Sequence, residues 1–189
     1  VIQSGAVLKY AITDKNVRVN PGRMLMGHST YPLAISKNEI VCAPERSLFM
    51  NILFAASECA PFVKTGGLAD VAGSLPKALA KLGHDVRVML PLYESIGDEW
   101  RSQMTFLQCF HVQLAWRTPY CGIFELQRDG VTYWFVDNEY YFKRSNIYGH
   151  YDDGERFAYF SRAVVESMGH LNWHPDVLHC NDWQTALVP

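Results

Sequence analysis

"MNILFAASECAPFVKTGGLADVAGSLPKALAKLGHDVRVMLP", residues 50–91, decides the fold. It begins with a short continuous apolar run, Ile52-Leu53-Phe54-Ala55-Ala56. Such a run suits a strand buried on both faces, as in a parallel sheet. A loop follows through Pro61 and Lys64-Thr65-Gly66-Gly67. Leu68, Val71, Ala72, Leu75, Leu79 and Leu82 then recur at helical spacing, which predicts a helix with these residues on its core-facing stripe. Pro76 inside it predicts a kink or a fresh first turn, and Gly83 predicts the stop at C′. "HDVRVMLP" alternates Val86, Val88 and Leu90 as the next strand. Strand, loop, helix and strand of this length make a βαβ unit. The expected fold class is therefore α/β, an incomplete doubly wound, Rossmann-like domain.

Downstream, "GIFELQRDGVTYWFV" places Asp129-Gly130 between two strand-like runs, a hairpin signal. A helix is predicted from Asp153 to about Met168, with Phe157, Phe160, Val164, Val165 and Met168 facing the core. "PDVLHCNDWQTALVP" reads as a strand, Val177 to Cys180, followed by a loop at Asn181-Asp182-Trp183. A further helix is expected to start near Pro189, so the sheet is expected to be cut short, with an exposed edge and unburied apolar faces. In open α/β sheets ligands bind beyond the carboxyl ends of the strands. The Lys64–Gly67 and His179–Gln184 loops both fall at such ends.

Upstream of Met50 the character changes. In "VIQSGAVLKYAITDKNVRVNPGRML" a six-residue rhythm places Val1, Val7, Val19 and Leu25 in one phase, interrupted by Thr13, and Gly5, Ala11 and Val17 in another. Turn residues fall between them at Ser4-Gly5, Asp14 and Asn20-Pro21-Gly22. That is the pattern of stacked coils of a parallel β-helix, and equally of one or two ordinary short strands. Residues 28–49 show no periodicity. The expected organisation is a β-helix-like segment over 1–41, a linker over 42–49 and an α/β domain over 50–189.

The 189 residues are 49% hydrophobic and 19% charged, with a net charge of −2. This is globular composition, without the basic block that nucleic acid binding needs. No apolar run approaches the roughly 20 residues of a membrane helix, and no leader is recognisable at the N-terminus. A cytoplasmic protein with neither a nucleic acid nor a membrane partner is expected. Cys42, Cys59, Cys109, Cys121 and Cys180 are odd in number and form no CxxC, which predicts reduced, mostly buried thiols. His170 and His174 are flanked by Gly169 and Pro175, and no carboxylate follows at ligand spacing. No metal site is expected there, only solvated or capping histidines.

The Lys64 loop joins a full positive charge to two glycines at a helix N-terminus, where unpaired N–H groups and the helix dipole favour an anion. Gly66 and Gly67 would let a phosphate approach the backbone. A Gly-Gly turn with a solvated lysine explains the spacing equally well. GxxxxGK[ST] and GxGxxG are both absent. Asp70, in the helix's first turn, either complements the dipole or meets the ligand. Asp182 either caps the next helix or accepts hydrogen bonds from sugar hydroxyls, and Trp183 is expected in the core.

Residues 50–91, "YDDGERFAYFSRAVVE" and "PDVLHCNDWQTALVP" together resemble, in order, the N-terminal part of bacterial glycogen synthases and plant starch synthases, with KTGGLADV the most specific block. The resemblance covers 50–189. It implies the N-terminal domain of a GT-B glycosyltransferase that moves glucose from ADP-glucose to the non-reducing 4-hydroxyl of an α-1,4-glucan with retention. The donor ADP-glucose is a substrate, and no metal or organic cofactor is implied. Carried over, Lys64, Gly66, Gly67 and Asp70 bind ADP-glucose, and Asp182 stands as the catalytic-site carboxylate near the transferred glucose. Many family members have histidine where Asn181 and Gln184 stand here. The family's second domain supplies most nucleotide contacts, so little or no transfer is expected of this chain by itself. A non-catalytic donor-binding or interaction module is the alternative. Residues 1–41 resemble the C-terminal β-helix end of glucose-1-phosphate adenylyltransferase regulatory subunits, which suggests a read-through or a mis-joined reading frame with Met50 as the native start.

Overall fold

The structure, a computed structural model, describes residues 1–20, 24–26, 29–30, 32–38, 40–41 and 49–189. Contacts divide the chain into two units, 1–48 and 49–189. The first holds six short strands: β1 (Val7–Lys9), β2 (Ala11–Thr13), β3 (Arg18–Val19), β4 (Met24–Met26), β5 (Leu33–Ile35) and β6 (Ile40–Val41). Each strand of the first three pairs in parallel with its counterpart three strands later, β1 with β4, β2 with β5 and β3 with β6. Residues 33–41, which lack any periodicity in sequence, thus form two of these strands. Val17, Val19 and Ile35 are buried, with Ala6, Leu8 and Leu25 packed against them. Of the residues that share one phase in the sequence, Val19 is buried, while Val1 and Val7 are exposed. Within β1 the side chains alternate, so Leu8 turns inward between exposed Val7 and Lys9. Pro21, Gly22, Cys42 and most of the expected 42–49 linker lie outside the described residues.

The second unit runs β7 (Asn51–Ala55), α1 (Gly67–Lys81), β8 (Asp85–Pro91), α2 (Asp98–Arg101), β9 (Thr105–His111), β10 (Tyr120–Arg128), β11 (Val131–Asp137), α3 (Glu139–Phe142), α4 (Asp153–His170) and β12 (Val177–Cys180), closing with a 3-10 turn at Trp183–Thr185. The six strands form one sheet in the order β12-β7-β8-β11-β10-β9. β12, β7, β8 and β11 are mutually parallel, while β10 and β9 add antiparallel strands at one side. The sheet is therefore mixed and parallel-rich. β9 and its antiparallel pairing were not anticipated, because β9 alternates no apolar stripe and only Phe110 in it is buried. The β10–β11 hairpin does turn at Asp129-Gly130, with φ of 53° and 77°, the positive values that a two-residue turn of this hand requires.

The apolar run of β7 is buried as expected, from Ile52 to Ala56. α4 likewise buries Phe157, Phe160 and Val164, with Val165 and Met168 packed against the core. At the opposite end of the parallel strands from their carboxyl termini, the Arg87 guanidinium lies between the rings of Trp134 and Trp173, 4.5 and 4.2 Å from their centroids. Trp173 donates to Asp85 at 2.9 Å.

α1 has the predicted period but another phase. Ala69, Ala72, Gly73 and Pro76 are its buried residues, whereas Val71, Leu75 and Leu82 are exposed. The helix approaches the preceding loop so closely that only small residues fit: a Cβ on Gly73 would stand 2.6 Å from the Ala60 carbonyl oxygen. Pro76 neither breaks the helix nor restarts it. Proline has no N–H, so it leaves the Ala72 carbonyl without its helical partner, and the buried Cys59 thiol donates to that oxygen at 3.3 Å. Burial pushes the Cys59 thiol up to about 12, so it stays protonated and able to donate. Gly83, φ 97°, ends the helix as expected, its N–H on Ala80 O and that of His84 on Leu79 O, the paired bonds of a Schellman motif.

Candidate functional site

Because β7, β8, β11 and β12 are parallel, the loops that leave their carboxyl ends share one side of the sheet. Three of these loops enclose a cleft of about 330 Å³, lined by Phe62, Val63, Lys64 and Thr65, by Ser95, and by Ser145, Asn146 and Ile147. Lys64 is exposed on its rim, and its Nζ donates to both Asp70 oxygens at 2.7 and 2.8 Å. An ammonium carries three N–H donors, so one is left over by this pair. An exposed ion pair of this kind contributes roughly 0–1 kcal/mol, little enough for a ligand phosphate to compete. Asp70 therefore acts here as the partner of Lys64.

Gly66 is the N-cap of α1, with no side-chain cap, and a Cβ at Gly66 or Gly67 would meet nothing within 4 Å. The space in front of the helix start is open. Not every N–H of the loop faces it, however. Glu58, at the exit of β7, is almost completely buried. It accepts from the Thr65 N–H, from the Thr65 hydroxyl at 2.7 Å, from the Gly66 N–H at 3.2 Å and from the Tyr148 hydroxyl at 2.7 Å. The Gly66 N–H is thus committed inward, and the helix's open donors begin at Gly67 and Leu68. The cradle reading of the sequence had missed this division. Its signal was a lone acid between the apolar runs ILFAA and APFV.

Burial works to raise the Glu58 pKa, but the hydrogen bonds, that of the Thr65 N–H foremost, outweigh it and hold the carboxyl below its ordinary value. A group with a lowered folded pKa contributes stability that is complete above its unfolded pKa of about 4.3 and is lost as pH falls through the folded value. The stability gap between the wild type and Glu58→Gln, followed by urea unfolding, is expected to be constant above about pH 5 and to narrow at lower pH. A gap that widens in acid would contradict this assignment. The groups that bond Glu58 are the Thr65 N–H and hydroxyl, the Gly66 N–H and the Tyr148 hydroxyl.

Asp182 leaves β12, the neighbour of β7, at φ 62° and ψ 179°. This region is essentially reserved for glycine, and a non-glycine residue there carries roughly 1–3 kcal/mol of strain. Its exposed carboxylate accepts from the Trp183 N–H at 2.7 Å, so it does cap the turn that follows. Trp183 is half exposed rather than core, meeting Phe157 edge-on at 5.2 Å. Asn181 is structural: its Nδ2 donates to Ala55 O and His179 O at the ends of β7 and β12. Gln184 is buried, and its Oε1 has no partner among the described residues. His170 stacks on Phe110 at 4.1 Å. Among the described residues no group of three His, Cys, Asp or Glu side chains could hold a metal ion, and no helix is long and apolar enough to cross a membrane.

Fold and site together define a Rossmann-like α/β domain with the Lys64 and Asp182 loops at the carboxyl ends of its parallel strands. The model of the starch synthase catalytic domain matches residues 51–189, and the chain belongs to that family. It is 61% identical over 140 residues to the glycogen synthase of Geobacillus thermodenitrificans and 56% identical over 140 residues to that of Clostridium botulinum strain Eklund 17B. Each match covers 74% of this chain and 29% of the relative. Among solved structures it is similar to the catalytic domain of starch synthase IV from Arabidopsis thaliana, bound to ADP and acarbose, with a TM-score of 0.68 and 33% identity over 74% of this chain and 29% of that one. The expectation of a GT-B N-terminal domain agrees with these matches. The likeness of residues 1–41 to adenylyltransferases finds no support in them. The chain spans under a third of the length of the curated relatives it matches.

Proposed function

We propose that residues 50–189 form the N-terminal domain of an ADP-glucose-dependent glucan synthase, which transfers glucose to the non-reducing end of an α-1,4-glucan with retention, and supply part of its donor site. The observation that carries this reading is the open, glycine-led start of α1 with the Lys64 ammonium beside it. As the glycosidic bond to the diphosphate breaks, negative charge collects on the leaving phosphate. Lys64 and the free N–H groups of Gly67 and Leu68 would face that charge, already oriented. The Asp182 carboxylate, held in a strained backbone at the next strand's end, is our candidate for the contact with the transferred sugar. Asp70 would keep the Lys64 ammonium over the helix start and release part of it to the phosphate.

Calorimetric titration of the chain with ADP-glucose tests the reading. A charge-assisted hydrogen bond contributes about 1.5–3 kcal/mol, so Lys64→Ala is expected to weaken binding about 10- to 100-fold. Equal affinity in both proteins, or no binding by the wild type, would remove the donor-site assignment. Incorporation of glucose into a glycogen acceptor, assayed in parallel, separates transfer from binding without turnover.

A further inference from the structure

We propose that Glu58 is the positioning residue of this site: it joins the two walls of the cleft and sets which backbone N–H groups face the ligand. The proposal rests on the donor-site reading above and extends it to a residue that makes no contact with the ligand. One wall of the cleft is the segment Phe62–Thr65 and the other is Ser145–Ile147. Glu58 lies behind both. Through Thr65 and Gly66 it holds the first wall, and through the Tyr148 hydroxyl, next in sequence to Ile147, it holds the second. Ser57 adds a hydrogen bond to the same tyrosine hydroxyl at 2.7 Å.

The chemistry of the four partners explains why the residue is an acid. All four donate, and a carboxylate offers only acceptors. A glutamine would turn its NH2 toward at least one N–H or O–H, leaving buried donors opposed to each other. An aspartate would keep the charge but fall one methylene short of the loop. A negative charge behind the Gly66 N–H also complements the N-terminus of α1 from the protein side. The ligand side is then left to the Gly67 and Leu68 N–H groups and to Lys64, whose backbone adjoins the anchored Thr65.

The test uses the intact chain, with ADP-glucose as the probe and two independent readings. In Glu58→Gln, amide exchange of Thr65 and Gly66 measured by NMR is expected to accelerate at least about 10-fold, and ADP-glucose affinity to fall by a similar factor. Glu58→Asp is expected to recover only part of either. Val131→Ala, a core truncation at the amino end of β11, away from the cleft, provides the reference for general destabilisation. It is expected to leave exchange at Thr65 and Gly66 and the affinity within about 2-fold of wild type. Unchanged exchange at Thr65 and Gly66 in Glu58→Gln overturns the proposal, as does a loss of affinity that Val131→Ala reproduces. Should the wild type bind no ADP-glucose, the donor reading falls, while the exchange measurement still decides whether Glu58 holds the loop.

Discussion

Arg156→Ala is expected to destabilise the 49–189 unit by about 3–5 kcal/mol, the cost of removing one partner from a buried ion pair. Arg156 stands in the first turn of α4 and is completely buried. Its Nε donates to Tyr141 O at 2.8 Å, and its Nη1 to Ile147 O at 3.0 Å and to Asp153 Oδ1 at 2.6 Å. Truncation would leave two carbonyls without their donor, a carboxylate without its cation and a cavity. Arg156→Lys keeps the charge but cannot present two donor directions in a plane, so it is expected to fall in between. The effect reaches the site, because the segment that Arg156 ties down, from Tyr141 to Ile147, includes one wall of the cleft. All five tryptophans lie in the 49–189 unit, so urea unfolding followed by tryptophan fluorescence reports that unit alone. A loss under about 1 kcal/mol would mean that the guanidinium is not essential to the packing of α4.

Gly73→Val is expected to cost about 3 kcal/mol or more and to abolish ADP-glucose binding. Two effects oppose each other at this position. Replacing glycine inside a helix gains up to about 1 kcal/mol when the new residue is alanine, and less when it is β-branched. Against that, the new Cβ would meet the Ala60 oxygen at 2.6 Å and the Ala60 Cβ at 3.1 Å. The first contact is main chain and cannot rotate away, and overpacking costs typically 1–3 kcal/mol for a few added carbons. Valine adds two further methyl groups without alanine's helical gain. Relief would require α1 to shift away from the 58–66 loop, breaking the Ala60 N–H to Ala69 O bond of 3.0 Å and moving Lys64 relative to the helix start. The same fluorescence-detected unfolding measures the stability, and calorimetry measures the binding. A Gly73→Val protein as stable as wild type would show that the helix can move outward freely.

The parts of this protein that could be read from sequence are those whose cause is local. β7 announces itself because five consecutive buried residues leave no polar face. The hairpin at Asp129-Gly130 follows from the two residues best able to take positive φ, and the stop at Gly83 follows from the same property. The stripe of α4 is carried by large aromatic and aliphatic side chains, so its periodicity and its burial coincide. Lys64, Gly66, Gly67, Asp70 and Asp182 were likewise proposed by type and position. Each is a polar or glycine residue just beyond a parallel strand, or at the start of the helix that follows it.

What tertiary structure alone decided depends on groups distant in the chain. The buried face of α1 is its small-residue face, because a loop passes there at backbone contact distance, and hydrophobicity cannot report that geometry. Pro76 is tolerated because a thiol seventeen residues earlier supplies a donor to the carbonyl it frees. Whether a loop N–H faces a ligand or the protein interior depends on where one carboxylate ends up. Glu58 turned that of Gly66 inward and left those of Gly67 and Leu68 open. Sequence by itself determined that a lysine and two glycines would lead a helix at a strand's carboxyl end. Only the fold, by bringing Glu58, Thr65 and Tyr148 within hydrogen-bonding distance, decided which of that loop's donors remain free to bind.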